Sequence, residues 1–118
     1  MRKLEAGFSY KAFVRLQKLL GSSIKELGDL LQIPRRTLTR RKQLGRFAPD
    51  ESERLLRLTR VLDSSIELFE GDRETAVQWL RSPSRALSGE TPLEMSKTEV
   101  GAREVETLIG RLERGVFS

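Results

Sequence analysis

The sequence predicts an all-α fold, with a helix-turn-helix bundle in the front of the chain and a small helical domain behind it. Three observations point there. Apolar residues recur at three- and four-residue steps, which places them on one face of a helix. No stretch alternates with the two-residue period of a half-buried strand. Cap residues, Ser, Thr or Asp before a run and Gly or Pro after it, punctuate the chain at helical lengths. At 118 residues, 37% hydrophobic and 33% charged, the chain can bury one core or two small ones and must leave much helix surface in water.

The first helix starts at Ser9 as N-cap, with Phe8 and Phe13 spaced as a hydrophobic staple and Phe13, Leu16 and Leu20 on one face; Gly21 ends it. Ser23-Ile24-Lys25-Glu26 is a capping box that opens a second helix with Leu27, Leu30 and Leu31 inward, and Ile33-Pro34 breaks it. A third helix runs from about Pro34 to Gln43 with one clear apolar residue, Leu38. Pro49 suits a first helical turn, Asp50 and Glu51 suit its positive end, and Leu55, Leu58, Leu62, Ile66 and Phe69 then mark a long helix over roughly 49–70, with a nick expected at Ser64-Ser65. Gly71-Asp72 stops it and caps the next, which carries Ala76, Val77, Trp79 and Leu80 and ends at Ser82-Pro83. Trp79 reads as core beside Ala76 and Leu80 rather than as an interface anchor. Thr91-Pro92-Leu93-Glu94 is a further capping box. The last helix turns Val105, Leu108, Ile109 and Leu112 inward and ends at Gly115, leaving Val116-Phe117-Ser118 as a tail. The domains expected are 1–63 and 64–118.

Composition removes most chemistry. There is no Cys and no His, hence no disulfide, thiolate, imidazole base or usual zinc ligand. The acids are spread along helix faces without an acid/base pair, a glycine-rich phosphate loop or a nucleophile elbow, so neither an enzyme nor a metal or cofactor site is expected. No apolar run is long enough for a membrane span, and the expected location is the cytoplasm. The net charge of +5 conceals a division: residues 1–47 hold twelve Lys/Arg against three acids, and residues 48–118 hold ten against fourteen. A basic front suits a polyanion and an acidic back suits another kind of partner.

Residues 24–43 have the parts of a helix-turn-helix: Gly28 as the small residue where two helices cross, Ile33 in the turn, and Leu38 as the anchor of the second helix. Gln32 stands where Gly is common in the turn, and Arg41 where a second apolar anchor is usual. Arg35, Arg36, Thr39 and Arg40 then point outward, with Thr37 and Lys42 placed for phosphates; Arg can bond guanine bidentately, so this set can read sequence as well as hold backbone. Such modules commonly bind paired half-sites as two-fold dimers, and the stripe Leu62, Ile66, Phe69 and Val77 runs past what the front bundle can cover, which makes it the expected homodimer interface.

The residues also resemble a family, the Xre/MbcA/ParS antitoxins of type II toxin–antitoxin pairs. In the front half the resemblance rests on Arg36-Thr37-Leu38-Thr39-Arg40-Arg41-Lys42 and on Glu51-Ser52-Glu53-Arg54-Leu55-Leu56-Arg57-Leu58; by the family pattern Arg41 is expected. In the back half it rests on the order and spacing of Ala76, Trp79-Leu80, Pro83, Leu87, Gly89, Thr91-Pro92-Leu93, Thr98, Gly101, Val105, Leu108, Arg111 and Gly115. Ser88-Gly89-Glu90 replaces the family's usual Gly-Gly, and Met95-Ser96 its common Leu-Leu. The resemblance implies that the second domain binds a cognate toxin, typically a RES-domain enzyme that consumes NAD, while the first binds operator DNA and represses the shared operon. It implies that the C-terminal region blocks the toxin's active site, which singles out Arg111, Arg114, Gly115, Val116, Phe117 and Ser118. The residues alone leave Val116-Phe117 equally open to folding back on its own core. A stand-alone dimeric helix-turn-helix regulator is the alternative.

Overall fold

The computed structural model describes residues 7–116, with only the backbone at Val116, so Phe117 and Ser118 lie outside the described residues. Among the described residues there are seven α-helices and one 3-10 turn, and the sole β-type pairing is a single antiparallel bridge between Ser9 and Arg46. The chain packs as two units that divide between Leu56 and Arg57, inside a helix rather than at a linker.

In the first unit, α1 (Tyr10–Leu20) starts where the Ser9 hydroxyl accepts from the Ala12 N–H at 3.1 Å and stops at Gly21 in the left-handed conformation, φ 64°. Its Phe13 is fully buried and meets Tyr10 and Phe47 at ring-centroid distances of 5.3 Å each, an aromatic cluster that ties the start of α1 to the segment after α3. Backbone bonds from Tyr10 to Gly45 and from Phe47 to Phe8 fix the same join. The helix α2 (Ile24–Leu30) begins with the Ser23 hydroxyl accepting from the Glu26 N–H at 3.0 Å, as the capping box predicts. Gly28 is where α2 crosses α3 (Arg35–Leu44): a Cβ there would lie 2.7 Å from Leu38 Cδ1 and 3.3 Å from the Ile33 carbonyl. Gln32 takes the left-handed backbone, φ 56°, that the turn requires and that Gly would adopt without strain.

The helix α4 (Pro49–Leu68) is continuous through Ser64-Ser65. The nick expected there does not occur because the buried Ser65 hydroxyl donates within the helix to the Leu62 carbonyl at 2.8 Å, which satisfies it without breaking the ladder. Glu70 and Gly71, both with positive φ, turn the chain into α5 (Arg73–Leu80), capped by Asp72. The Asp72 carboxylate is held below its usual pKa by the hydrogen bond from the Thr75 hydroxyl and then by that from the Thr75 N–H. Trp79 is not core: it is half-buried, its ring 6.2 Å from that of Phe69, because Ala76 and Leu80 already fill the inward face of α5. A 3-10 turn (Arg85–Leu87) occupies the stretch between Pro83 and Thr91, with Leu87 buried. Then come the single turn α6 (Pro92–Met95), capped by Thr91, and α7 (Glu99–Val116). Thr98 caps α7, its hydroxyl accepting from the Gly101 N–H at 2.9 Å, and Gly101 lets α7 press against the Met95 carbonyl, which a Cβ would strike. Arg57 Nη2 donates to the Lys97 carbonyl at 2.9 Å and so ties the approach to α7 to α4.

Two expectations for α7 change. Leu112 lies on the helical face of Val105, Leu108 and Ile109, yet it is 39% exposed because the core ends one turn earlier. Gly115 does not release the chain, since α7 continues through it to Val116.

Candidate functional site

The first candidate is the outward face of α3. At 100° per residue, Arg35, Arg36, Thr39, Arg40, Lys42 and Gln43 fall on one arc of roughly 160°, and all six are exposed. The opposite arc holds buried Leu38 with half-buried Thr37 and Arg41. Thr37 therefore stands on the packed side and not beside Lys42, apart from the residues it was grouped with in the sequence. Gln43 belongs to the exposed arc and was missed because the sequence reading followed charge and hydroxyl groups, and Gln43 carries neither. Among the described residues Arg35, Arg36, Arg40 and Lys42 make no ion pair, and α3 contains no acid. The Thr39 hydroxyl donates to the Arg35 carbonyl at 3.2 Å, which leaves its lone pairs facing out. Pro34 supplies no side-chain cap, so the first turn of α3 presents open N–H groups next to two guanidinium groups. That combination repels cations in the free chain and favours an anion, the chemistry of a phosphate backbone.

Arg41 explains why α3 can do without a second apolar anchor. Its Nε and Nη2 donate to the two Glu51 carboxylate oxygens at 2.7 and 3.1 Å, and the Ala48 N–H donates to the same carboxylate at 2.9 Å. Both side chains are largely buried, 19% and 9% exposed. Burial alone would raise the Glu51 pKa, but the hydrogen bonds from Arg41 and Ala48 and the charges of Arg41 and Arg54 outweigh it and leave the carboxyl below its ordinary value. The same pair, led by the hydrogen bond, raises the Arg41 pKa further. The bidentate geometry orients α3 against the start of α4. Arg54 adds a second tie, its Nε donating to the Leu31 carbonyl at 2.7 Å, at the turn of the helix-turn-helix.

The second unit holds the other candidates. Arg111, Arg114 and Gly115 are exposed along the end of α7, while Val116 is described only as helical backbone. Of the expected dimer stripe, Ile66, Phe69 and Val77 are half-buried, but Leu62 is 2% exposed and is taken up by its own chain's core, so it cannot meet a second copy. No group of three or more metal-ligating side chains, and no helix long and apolar enough to cross a membrane, occurs among the described residues.

Residues 1–60 match the family model described as the antitoxin Xre-like helix-turn-helix domain, and residues 64–115 match that of the antitoxin Xre/MbcA/ParS C-terminal toxin-binding domain. The chain belongs to the Xre antitoxin family. Curated relatives named Antitoxin Xre include one from Yersinia enterocolitica, 51% identical over 87 residues, covering 73% of this chain and 59% of the relative. Another, from Photorhabdus laumondii, is 44% identical over 95 residues, or 77% of this chain and 64% of the relative. A third, from Pseudomonas putida, is 33% identical over 84 residues, or 70% of this chain and 52% of the relative. The matched part thus spans between about half and two-thirds of the relatives' length. The helix-turn-helix match contains the whole of α1 to α3, and the toxin-binding match contains all of α5 and α6 and all but the last residue of α7.

Proposed function

We propose that this Xre-family chain is an antitoxin with two macromolecular partners and no catalytic role, acting in the cytoplasm without a cofactor or metal. Its helical second domain, residues 64–118, binds a RES-domain, NAD-consuming toxin, and the region Arg111, Arg114, Gly115, Val116, Phe117 and Ser118 covers the toxin's active site. Its first domain, residues 1–63, binds operator DNA as part of a homodimer, with Arg35, Arg36, Thr39 and Arg40 toward base edges and Lys42 on phosphate, so that the operon is repressed by its own product. Ile66, Phe69 and Val77 form the contact between the two copies.

The observation that carries this reading is the co-occurrence in one chain of a helix-turn-helix match and a toxin-binding match, the former with an exposed basic face that no acid of its own helix neutralises. Co-expression with the neighbouring reading frame tests the toxin half. Growth rescue by this chain, with the two products co-purifying, is the expected result. A neighbour whose expression is harmless, together with retained binding to the upstream DNA, would instead make the chain a stand-alone regulator. For the DNA half, an Arg35/Arg36/Arg40 triple Ala variant should no longer shift the upstream DNA. An unchanged shift with an unchanged salt dependence would remove α3 as the reading helix.

A further inference from the structure

Beyond the end of α7, the second unit carries a groove between its 3-10 turn and the side of α7, about 420 Å³ in volume. We infer that this groove grips the toxin, taking one of its apolar side chains with a carboxylate beside it; the inference rests on the toxin-binding reading above. Leu87 forms the buried floor, with Ala86 exposed on one rim and Val100 on the other. Val100 is 69% exposed, more than any other large apolar side chain among the described residues. It serves no internal purpose: the core face of α7 is formed by Ala102, Val105, Leu108 and Ile109, and a β-branched residue is a poor choice for an exposed helix position.

Val100, Arg103, Thr107 and Arg111 follow at three- and four-residue steps, a stripe about 16 Å long on the outside of α7. The charge along it runs against its surroundings. Residues 57–118 hold nine Lys/Arg against eleven Asp/Glu, yet the stripe offers two guanidinium groups. Arg111 makes no ion pair among the described residues, and Arg103 makes only an exposed one with Glu99 at 3.2 Å, which a better-placed carboxylate can replace. Glu104 also lines the groove, which disfavours a polyanion such as DNA and fits a protein segment carrying a single carboxylate. Every lining residue falls within the stretch 64–115 that matches the toxin-binding domain, whereas the last three residues of the chain fall outside it. The groove therefore supplies holding surface and the tail supplies occlusion, two separable contacts.

The test uses the full 118-residue chain and, as the probe, the product of the adjacent reading frame made harmless by an active-site substitution. Binding is measured by calorimetry. Val100→Asp and Ala86→Arg should each weaken it by about 30-fold or more, the loss expected when a central anchor is removed. Removal of residues 115–118 should change it only a few-fold while ending growth rescue. Both substituted side chains are exposed, so the melting temperature should hold; if Val100→Asp lowers it, Thr107→Arg is read in its place. Unchanged binding by these variants alongside a binding wild type overturns the groove and leaves the antitoxin reading standing. A wild type that does not bind overturns both. A change in the mass of the chain alone, seen by light scattering of the variants, would assign the groove to a second copy and overturn the inference.

Discussion

Gln32 has the left-handed φ of 56° because three things meet at that position: α2 has ended at Leu30, Ile33 must enter the core, and Pro34 restricts the residue before it. Gly would relieve the strain and make the unfolded chain only slightly harder to order, so Gln32→Gly should raise stability by about 0.5–1 kcal/mol, measured as a higher thermal midpoint with DNA binding retained. A lower midpoint would mean that the Gln32 side chain contributes more than its backbone costs. At Glu51 the direction of the pH effect follows from the lowered carboxyl pKa. The folded state holds the carboxylate more strongly than the unfolded chain does, so its contribution is complete above the ordinary value of 4.5 and is lost as pH falls through the lower folded value. Glu51→Gln leaves the Arg41 cation largely buried beside a neutral partner and should cost about 1–3 kcal/mol near neutral pH. The deficit relative to wild type should shrink as pH drops below 4.5, which chemical denaturation at a series of pH values will show. A deficit independent of pH would mean that the pair contributes shape rather than charge.

At the scale of the element, α3 carries its unpaired cations on one arc and its packed residues, the ion-paired Arg41 among them, on the other, which lets single substitutions dissect it. Arg36 sits inside the exposed arc and Lys42 at its edge. Arg36→Ala should cost about 1–3 kcal/mol on the preferred DNA and relax choice at one base position. Lys42→Ala should weaken all sequences alike and reduce the salt slope by about one unit, as a lost phosphate contact does. Binding titrations at several salt concentrations on specific and scrambled duplexes separate the two, and equal effects from both variants would mean that α3 holds DNA without reading it. Much of this helix-turn-helix was legible in the sequence: the Ser23 cap and the absence of acids in α3 are local features, and the pairing of small Gly28 with Leu38 follows from the fixed spacing of the motif. The role of Arg41 was not, since its partner Glu51 lies ten residues on, across a turn, and only tertiary packing joins them. The same holds for the far end of the chain. The stripe through Leu112 is correct as helix periodicity, but how far a core extends along a stripe depends on what covers it, and the neighbours of α7 run out before Leu112. Trp79 misled for a related reason: composition favours large aromatics inside, whereas small Ala76 and Leu80 took the inward face of α5.

Across the whole molecule, α4 is the element that both units share. The division between Leu56 and Arg57 leaves its first part, with Glu51, Ser52 and Leu55, in the first unit and its second part, with Leu58, Val61, Leu62 and Ser65, in the second. A cut at 63/64, between the expected domains, would therefore strip the second unit of three buried apolar side chains. Each contributes about 1.5–3 kcal/mol on burial, and their sum is comparable to the whole stability of a domain this small. A cut before Pro49 keeps them and also keeps the acidic first turn, Asp50 and Glu51, that suits the helix N-terminus. A fragment of residues 49–118 should thus melt cooperatively by circular dichroism and, on the antitoxin reading, protect cells from the toxin without shifting operator DNA. The fragment 64–118 should be largely unfolded and should not protect. If 64–118 melted as sharply as 49–118, the second half of α4 would be dispensable to its unit, and the core of that unit would have to close on α5, α6 and α7 alone.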